Sequence, residues 1–178
     1  PSFDRFGWLF TTAKTSIGTV VALSPDEKTD LYIPAPWLTG RSVQAVAVSR
    51  DGTRLAILSR ASNQQIVEVA AIVRDSAGVP ISLGEPLALA PSVRQSIDVV
   101  WSDTTNLLIL GEDGGDVFQA TVGGRTAEVS ALSGARSFSV RFGDRTLVAV
   151  TEAGELHVRS SNSWARREEG VTDIAFSG

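Results

Sequence analysis

Val46-Ala47-Val48-Ser49-Arg50-Asp51-Gly52-Thr53-Arg54-Leu55-Ala56-Ile57-Leu58 is the stretch on which the fold turns. It reads as an apolar strand, a tight acidic turn with Gly52 in it, and a second apolar strand. Its first half, a β-branched residue, any residue, a large apolar residue and then Ser or Gly, recurs along the chain. The copies are Val99-Val100-Trp101-Ser102, Val140-Arg141-Phe142-Gly143 and Ile174-Ala175-Phe176-Ser177. The small residue returns after 53, 41 and 34 positions. Asp103-Thr104 and Asp144-Arg145 follow the second and third copies as Asp51-Gly52 follows the first. Apolar runs come next, Leu107-Leu108-Ile109-Leu110 and Leu147-Val148-Ala149-Val150.

Outward from these anchors the alternation has period two. Ile97, Val99 and Trp101 alternate with Asp98 and Val100, and Phe138, Val140 and Phe142 with Ser139 and Arg141. Each such strand turns one face inward. No segment of helical length keeps a 3.6-residue period, so the chain is all-β. A unit of about 40 residues with four short strands matches the blade of a β-propeller. The strands of the clearest blade are expected at 43–49, 54–58, 65–73 and 79–89, and of the next at 96–101, 106–110, 116–122 and 126–131. The blades are placed at 41–90, 95–132 and 135–168, with 171–176 opening another. In front, 1–35 is the remainder of a blade whose inner strand is expected to be missing. The expectation is a partial propeller of about four blades of four antiparallel strands, a portion of a larger ring. An immunoglobulin-type sandwich also uses short strands, but the repeated Ser/Gly–Asp turn and the absence of cysteine favour the propeller.

Composition narrows function by exclusion. The 178 residues are 43% hydrophobic and 20% charged, with net charge −4, which suits a folded core rather than a disordered tail. No basic run is present to displace counterions from phosphates, so nucleic-acid binding is not expected. Cysteine is absent, removing disulfides, thiolate catalysis and zinc–thiolate sites. Methionine is absent too, so Pro1 is not expected to be the translational start, and the chain reads as a processed or excised piece. Only Lys14 and Lys28 of the 16 basic residues are lysines, a usage typical of GC-rich coding. No apolar stretch approaches the roughly 20 residues of a membrane span.

Catalytic and metal motifs are sparse. His157 is the one histidine, set between Leu156 and Val158 so that it shares a strand face with charged neighbours. It has no G-x-S-x-G elbow to serve. Glu112-Asp113-Gly114-Gly115-Asp116 could offer oxygens to calcium but lacks the D-x-D-x-D-G spacing, and reads as a hairpin loop. Tyr32 lies on an expected outer strand. No cofactor is expected. Loops joining fourth to first strands, and second to third, share one propeller face, where partners dock. They carry Trp37, Leu38 and Arg41, then Arg60 and Asn63, then Arg94, Gln95 and Arg136. Trp and Arg are enriched at interface hot spots, so Trp37, Arg41, Arg60, Arg94 and Arg136 are the candidate partner-binding residues. The plain alternative is that Trp37 packs under its own loop and the arginines are solvated.

Two stretches carry family resemblances. Ser49-Arg50-Asp51-Gly52-Thr53-Arg54-Leu55 resembles the repeat of TolB-like propellers and, loosely, a sialidase Asp box, a marker of fold. Pro1-Ser2-Phe3-Asp4-Arg5-Phe6-Gly7-Trp8-Leu9-Phe10 resembles the stretch that begins a blade in actinobacterial LpqB lipoproteins, and the likeness continues through 46–56 and 99–101. That resemblance implies a secreted protein, lipid-anchored at the outer face of the cytoplasmic membrane, with a GerMN-type domain before the propeller. It implies no enzyme activity. It also implies an accessory role to the MtrA–MtrB two-component system, contacting the extracytoplasmic part of the sensor kinase MtrB in cell-envelope homeostasis and division. The chain departs from the full pattern in lacking the lipobox cysteine, the GerMN region and the first blades, so membrane attachment would come only from an anchor absent here. Self-association through open blade edges is a further expectation. The rivals are a ligand-binding or hydrolytic propeller using Asp98 and Asp173 at the channel mouth, and a scaffold without a dedicated partner.

Overall fold

The computed structural model describes the chain apart from residues 14–16, 27, 90–95, 112–115, 125, 133, 142–145, 161–162 and 175–178, and describes the backbone alone at 97, 116, 126–131 and 160. It divides into two compact units, Pro1–Pro91 and Ser92–Gly178.

The first unit holds two antiparallel sheets. One runs β1 (Ser2–Phe3), β2 (Leu9–Ala13), β3 (Thr19–Leu23), β4 (Asp30–Pro34). The inner strand expected to be missing is therefore present as β1, a two-residue strand paired through Ser2 with Phe10 and Phe3 with Leu9. The second sheet runs β5 (Ser42–Val48), β6 (Arg54–Ala61), β7 (Gln64–Arg74), β8 (Pro80–Leu83), with β9 (Leu87–Leu89) also on β7. The single strand expected over 79–89 is thus split. Pro86 has no N–H for a ladder, and Gly84 closes on β7, its N–H 2.8 Å from the Ala71 carbonyl oxygen. Alternation sends Phe10, Val20, Ala22 and Ile33 of the first sheet against Val48, Leu55, Ile57 and Ile72 of the second. Full burial of such side chains is worth about 1.5–3 kcal/mol each.

The second unit holds β10 (Ser96–Trp101), β11 (Asn106–Gly111), β12 (Asp116–Thr121), β13 (Thr126–Ala131), and a second sheet of β14 (Ala135–Arg141), β15 (Thr146–Thr151), β16 (Leu156–Ser160), β17 (Ser163–Glu168). Leu108, Leu110 and Val117 pack there on Phe138, Val140, Leu147 and Ala149. Residues 171–174 form no strand; the rest of the strand expected at 171–176 lies outside the described residues.

The Asp turns are built alike. Asp51 Oδ1 accepts from the Ser49 hydroxyl at 2.6 Å, the Thr53 N–H at 3.1 Å and the Thr53 hydroxyl at 2.9 Å, and Gly52 takes φ 70°. Asp103 Oδ1 accepts from the N–H groups of Thr105 and Asn106, both at 2.8 Å. The Asp144 turn lies outside the described residues. A second repeat is visible only in the structure. The first strands β5, β10 and β14 each shift register near their start, between Val43 and Ala45, Ser96 and Asp98, and Ala135 and Ser137. Across from each shift stands the small residue that ends the apolar run of the neighbouring strand: Ser59, Gly111 or Thr151. Such a bulge bends the strand and sharpens its twist.

Candidate functional site

Register locates one end of the first unit. Ser42, Arg60 and Gln65 lie in a row across β5, β6 and β7, so the connection 35–41 and the two-residue hairpin Ser62-Asn63 share that end. Gly18, after β2, joins it: its N–H donates to Thr39 Oγ1 at 3.1 Å and its carbonyl accepts the Ala35 N–H at 2.8 Å. Pro36–Leu38 form a 3-10 turn there.

Of the residues picked from the sequence, this end gathers Trp37, Leu38, Arg41, Arg60 and Asn63. Leu38 is buried, and Trp37 packs half-buried against the first unit's core, which is the plain reading for much of its ring. Arg41 Nη1 donates to Glu68 Oε2 at 2.5 Å, and the Glu68 side chain is almost wholly buried. Arg41 therefore neutralises a carboxylate the fold has taken out of water. Arg60 is exposed, and its side chain has no partner among the described residues. Beside this row, Gln65 Nε2 donates to Gln44 Oε1 at 2.7 Å.

The remaining candidates stand elsewhere. Arg94 and Gln95 lie outside the described residues, as does most of the 112–116 loop. Arg136 belongs to the second unit, where it is the bulge residue of β14 and donates to the carbonyl oxygens of Val171, at 3.3 Å, and Thr172. His157 Nε2 is 3.2 Å from Glu155 Oε2, and Glu155 Oε1 accepts from Arg166 at 2.8 Å. Tyr32 is exposed on β4. Asp98 follows the β10 bulge. Burial pushes its carboxyl up to about 6, against the pull of the Val99 N–H and with a push from the Asp173 charge. Among the described residues no three acidic or histidine side chains group as a metal site.

The opposite end of the unit contains what the sequence reading missed. Asp4 Oδ1 accepts the N–H groups of Phe6 at 2.8 Å and Trp8 at 2.9 Å, while Oδ2 takes the guanidinium of Arg74. Arg74 also donates to the carbonyl oxygens of Gly52, at 3.2 Å through Nε, and Gly78, at 2.8 Å. The Phe6 ring is stacked by Arg5 at 4.6 Å and Arg74 at 4.8 Å. Phe3-Asp4-Arg5-Phe6-Gly7-Trp8 thereby ties the first sheet to the Asp51-Gly52 turn and to the β7–β8 hairpin. Asp4 and Arg74 are 70 residues apart in sequence, so no local pattern marks the pair.

A motif committed to joining two blades is a signature of architecture, and comparison with known proteins agrees. The family model described as the lipoprotein LpqB β-propeller domain (Gmad1) matches residues 1–174. The chain belongs to this family. Lipoprotein LpqB of Streptomyces coelicolor is 27% identical over 185 residues, and that of Streptomyces avermitilis 25% over 186. Each alignment covers 98% of this chain and 30% of the relative, so the chain spans about 30% of the length of the curated relatives it matches. A structure from a study of two prolyl endopeptidases matches with TM-score 0.55 and 20% identity, over 88% of this chain and 25% of that one. At that identity the likeness concerns the fold alone. The LpqB propeller signature and the four antiparallel sheets make this a β-propeller.

Proposed function

We propose that the chain is a non-catalytic interaction module of an extracytoplasmic, envelope-associated lipoprotein, and that it modulates an MtrB-type sensor kinase by binding its extracytoplasmic domain. The observation that carries this reading is the match to the LpqB propeller family over residues 1–174, together with relatives named as lipoproteins. The mechanism is linkage: a module that binds one kinase state more tightly shifts the population toward that state. The same reading takes the lipid anchor from outside this chain, and adds self-association through open blade edges and the sheet face beside them.

The test is titration of the purified sensor domain against this chain and against the whole lipoprotein, by biolayer interferometry. Saturable binding to both supports the assignment. Binding to the whole lipoprotein with none to this chain removes the propeller from the role. One observation favours a ligand-binding or hydrolytic reading, the raised carboxyl of Asp98 near the Asp173 charge. Thermal shift with magnesium, calcium or manganese probes it, since an ion bound only by the folded state raises Tm.

A further inference from the structure

We infer that the Trp37–Arg60 end of the first unit docks an acidic, partly apolar segment of a protein partner. This deepens the interaction-module reading and rests on it.

Acidic residues are segregated between the two ends of the unit, the other end mixing them with Arg5, Lys28 and Arg50. The described connections at this end, 17–18, 35–41 and 62–63, contain no Asp or Glu. The connections at the other end contain Asp4, Asp26, Asp51 and Asp75. The carboxylate nearest the Arg60 end on β7 is Glu68, and it is buried and taken by Arg41. The charge displayed to solvent in the described row is then the guanidinium of Arg60, on a chain whose net charge is −4. A guanidinium fork pairs a carboxylate in two parallel hydrogen bonds.

Apolar anchors accompany the cation. Ile17 is 59% exposed, and its neighbour Gly18 is bonded to the 3-10 turn that carries Trp37. Both side chains thus stand on a braced surface, so little ordering entropy opposes docking. An aliphatic or aromatic residue flanked by Asp or Glu is the segment that meets both features.

The test is ¹⁵N chemical-shift mapping on this chain with a short peptide of Glu and Asp flanking one Leu and one Phe, beside its Lys and Arg counterpart. The expected result is saturable shifts at amides of 17–18, 37–44 and 60–65, weakening with salt and absent with the basic peptide. Arg60→Glu is expected to weaken the acidic peptide about tenfold, with Arg60→Lys restoring part of the loss; Arg60 is exposed, so both variants keep the fold. Shifts confined to the opposite end, no saturation, or retention on phosphatidylglycerol vesicles with no response to the peptide overturn the proposal. The sensor domain separates this inference from its parent reading. Binding of that domain unaffected by Arg60→Glu overturns the docking end and leaves the module standing. Peptide binding at this end without sensor-domain binding does the reverse.

Discussion

Arg74 joins the first unit's two sheets by polar contact. Its guanidinium satisfies a buried carboxylate and two carbonyl groups at once. Removing one partner of a buried pair strands the other, at a cost of about 3–5 kcal/mol. Arg74→Ala is expected to lose that much in urea unfolding, and Arg74→Lys to recover only part because an ammonium cannot span the same acceptors. Asp98 gives a residue-scale prediction of a different kind. Its folded pKa of about 6 lies above the ordinary 3.8, so folding takes up a proton between those values. Its contribution is most favourable below pH 4 and declines as pH rises toward 6. Asp98→Asn is expected to flatten that slope and to stabilise the protein at pH 7–8 by up to about 3 kcal/mol, read from chemical unfolding at a series of pH values. Asp51 and Asp103 run the other way. Burial opposes their charge, but hydroxyl, amide and N–H donors outweigh it and hold both below the usual carboxylate value. Their stabilisation is present at neutral pH and fades in acid.

Elements form where local chemistry and long-range packing agree, and Gly18 marks one place where packing decides. A Cβ there would stand 2.4 Å from the Ala35 carbonyl oxygen and 2.6 Å from Leu38 Cβ. Since backbone must yield, Gly18→Ala is expected to cost about 1–3 kcal/mol and to disturb the amides of 35–39 in an NMR spectrum. The Ser62-Asn63 hairpin at the same end offers the reverse case. Ser62 holds φ 53°, a conformation that costs an L-residue about 1–2 kcal/mol, so Ser62→Gly is expected to raise Tm modestly. At this scale most strands were legible, because Leu55–Leu58, Leu107–Leu110 and Leu147–Val150 are apolar runs bounded by turn residues. What escaped has physical reasons. β1 is too short to display alternation. The break between β8 and β9 depends on how Gly84 meets Ala71. The bulges at 44, 97 and 136 are announced only by Ser59, Gly111 and Thr151, which are small residues on the neighbouring strand.

For the molecule as a whole, the repeat marks three of the four sheets, those opened by β5, β10 and β14, while the first sheet carries no copy of it. The site was less legible. Trp37, Arg41 and Arg60 do share an end, but their difference in role comes from Glu68, whose burial beside Arg41 no periodicity reveals. Surface left over from blade packing leads to the last prediction. On the first sheet, the face turned from the core carries Phe3, Leu9, Leu23 and the exposed Asp30 in one row and Thr11, the buried Val21 and Tyr32 in the next. Phe3 is 68% and Tyr32 65% exposed. Contiguous apolar surface on a pleated sheet is a site of association, and sheets of a propeller cover such faces with one another. Sedimentation velocity over a wide concentration range is therefore expected to show reversible dimers of this chain. The pair Phe3→Glu with Tyr32→Lys places charge on the face without touching Asp4, Arg74 or the core, and is expected to leave a monomer with unchanged far-UV circular dichroism. A wild-type chain that stays monomeric at the highest concentration would mean that Phe3 and Tyr32 are individually solvated, and self-association would drop out of the proposed function.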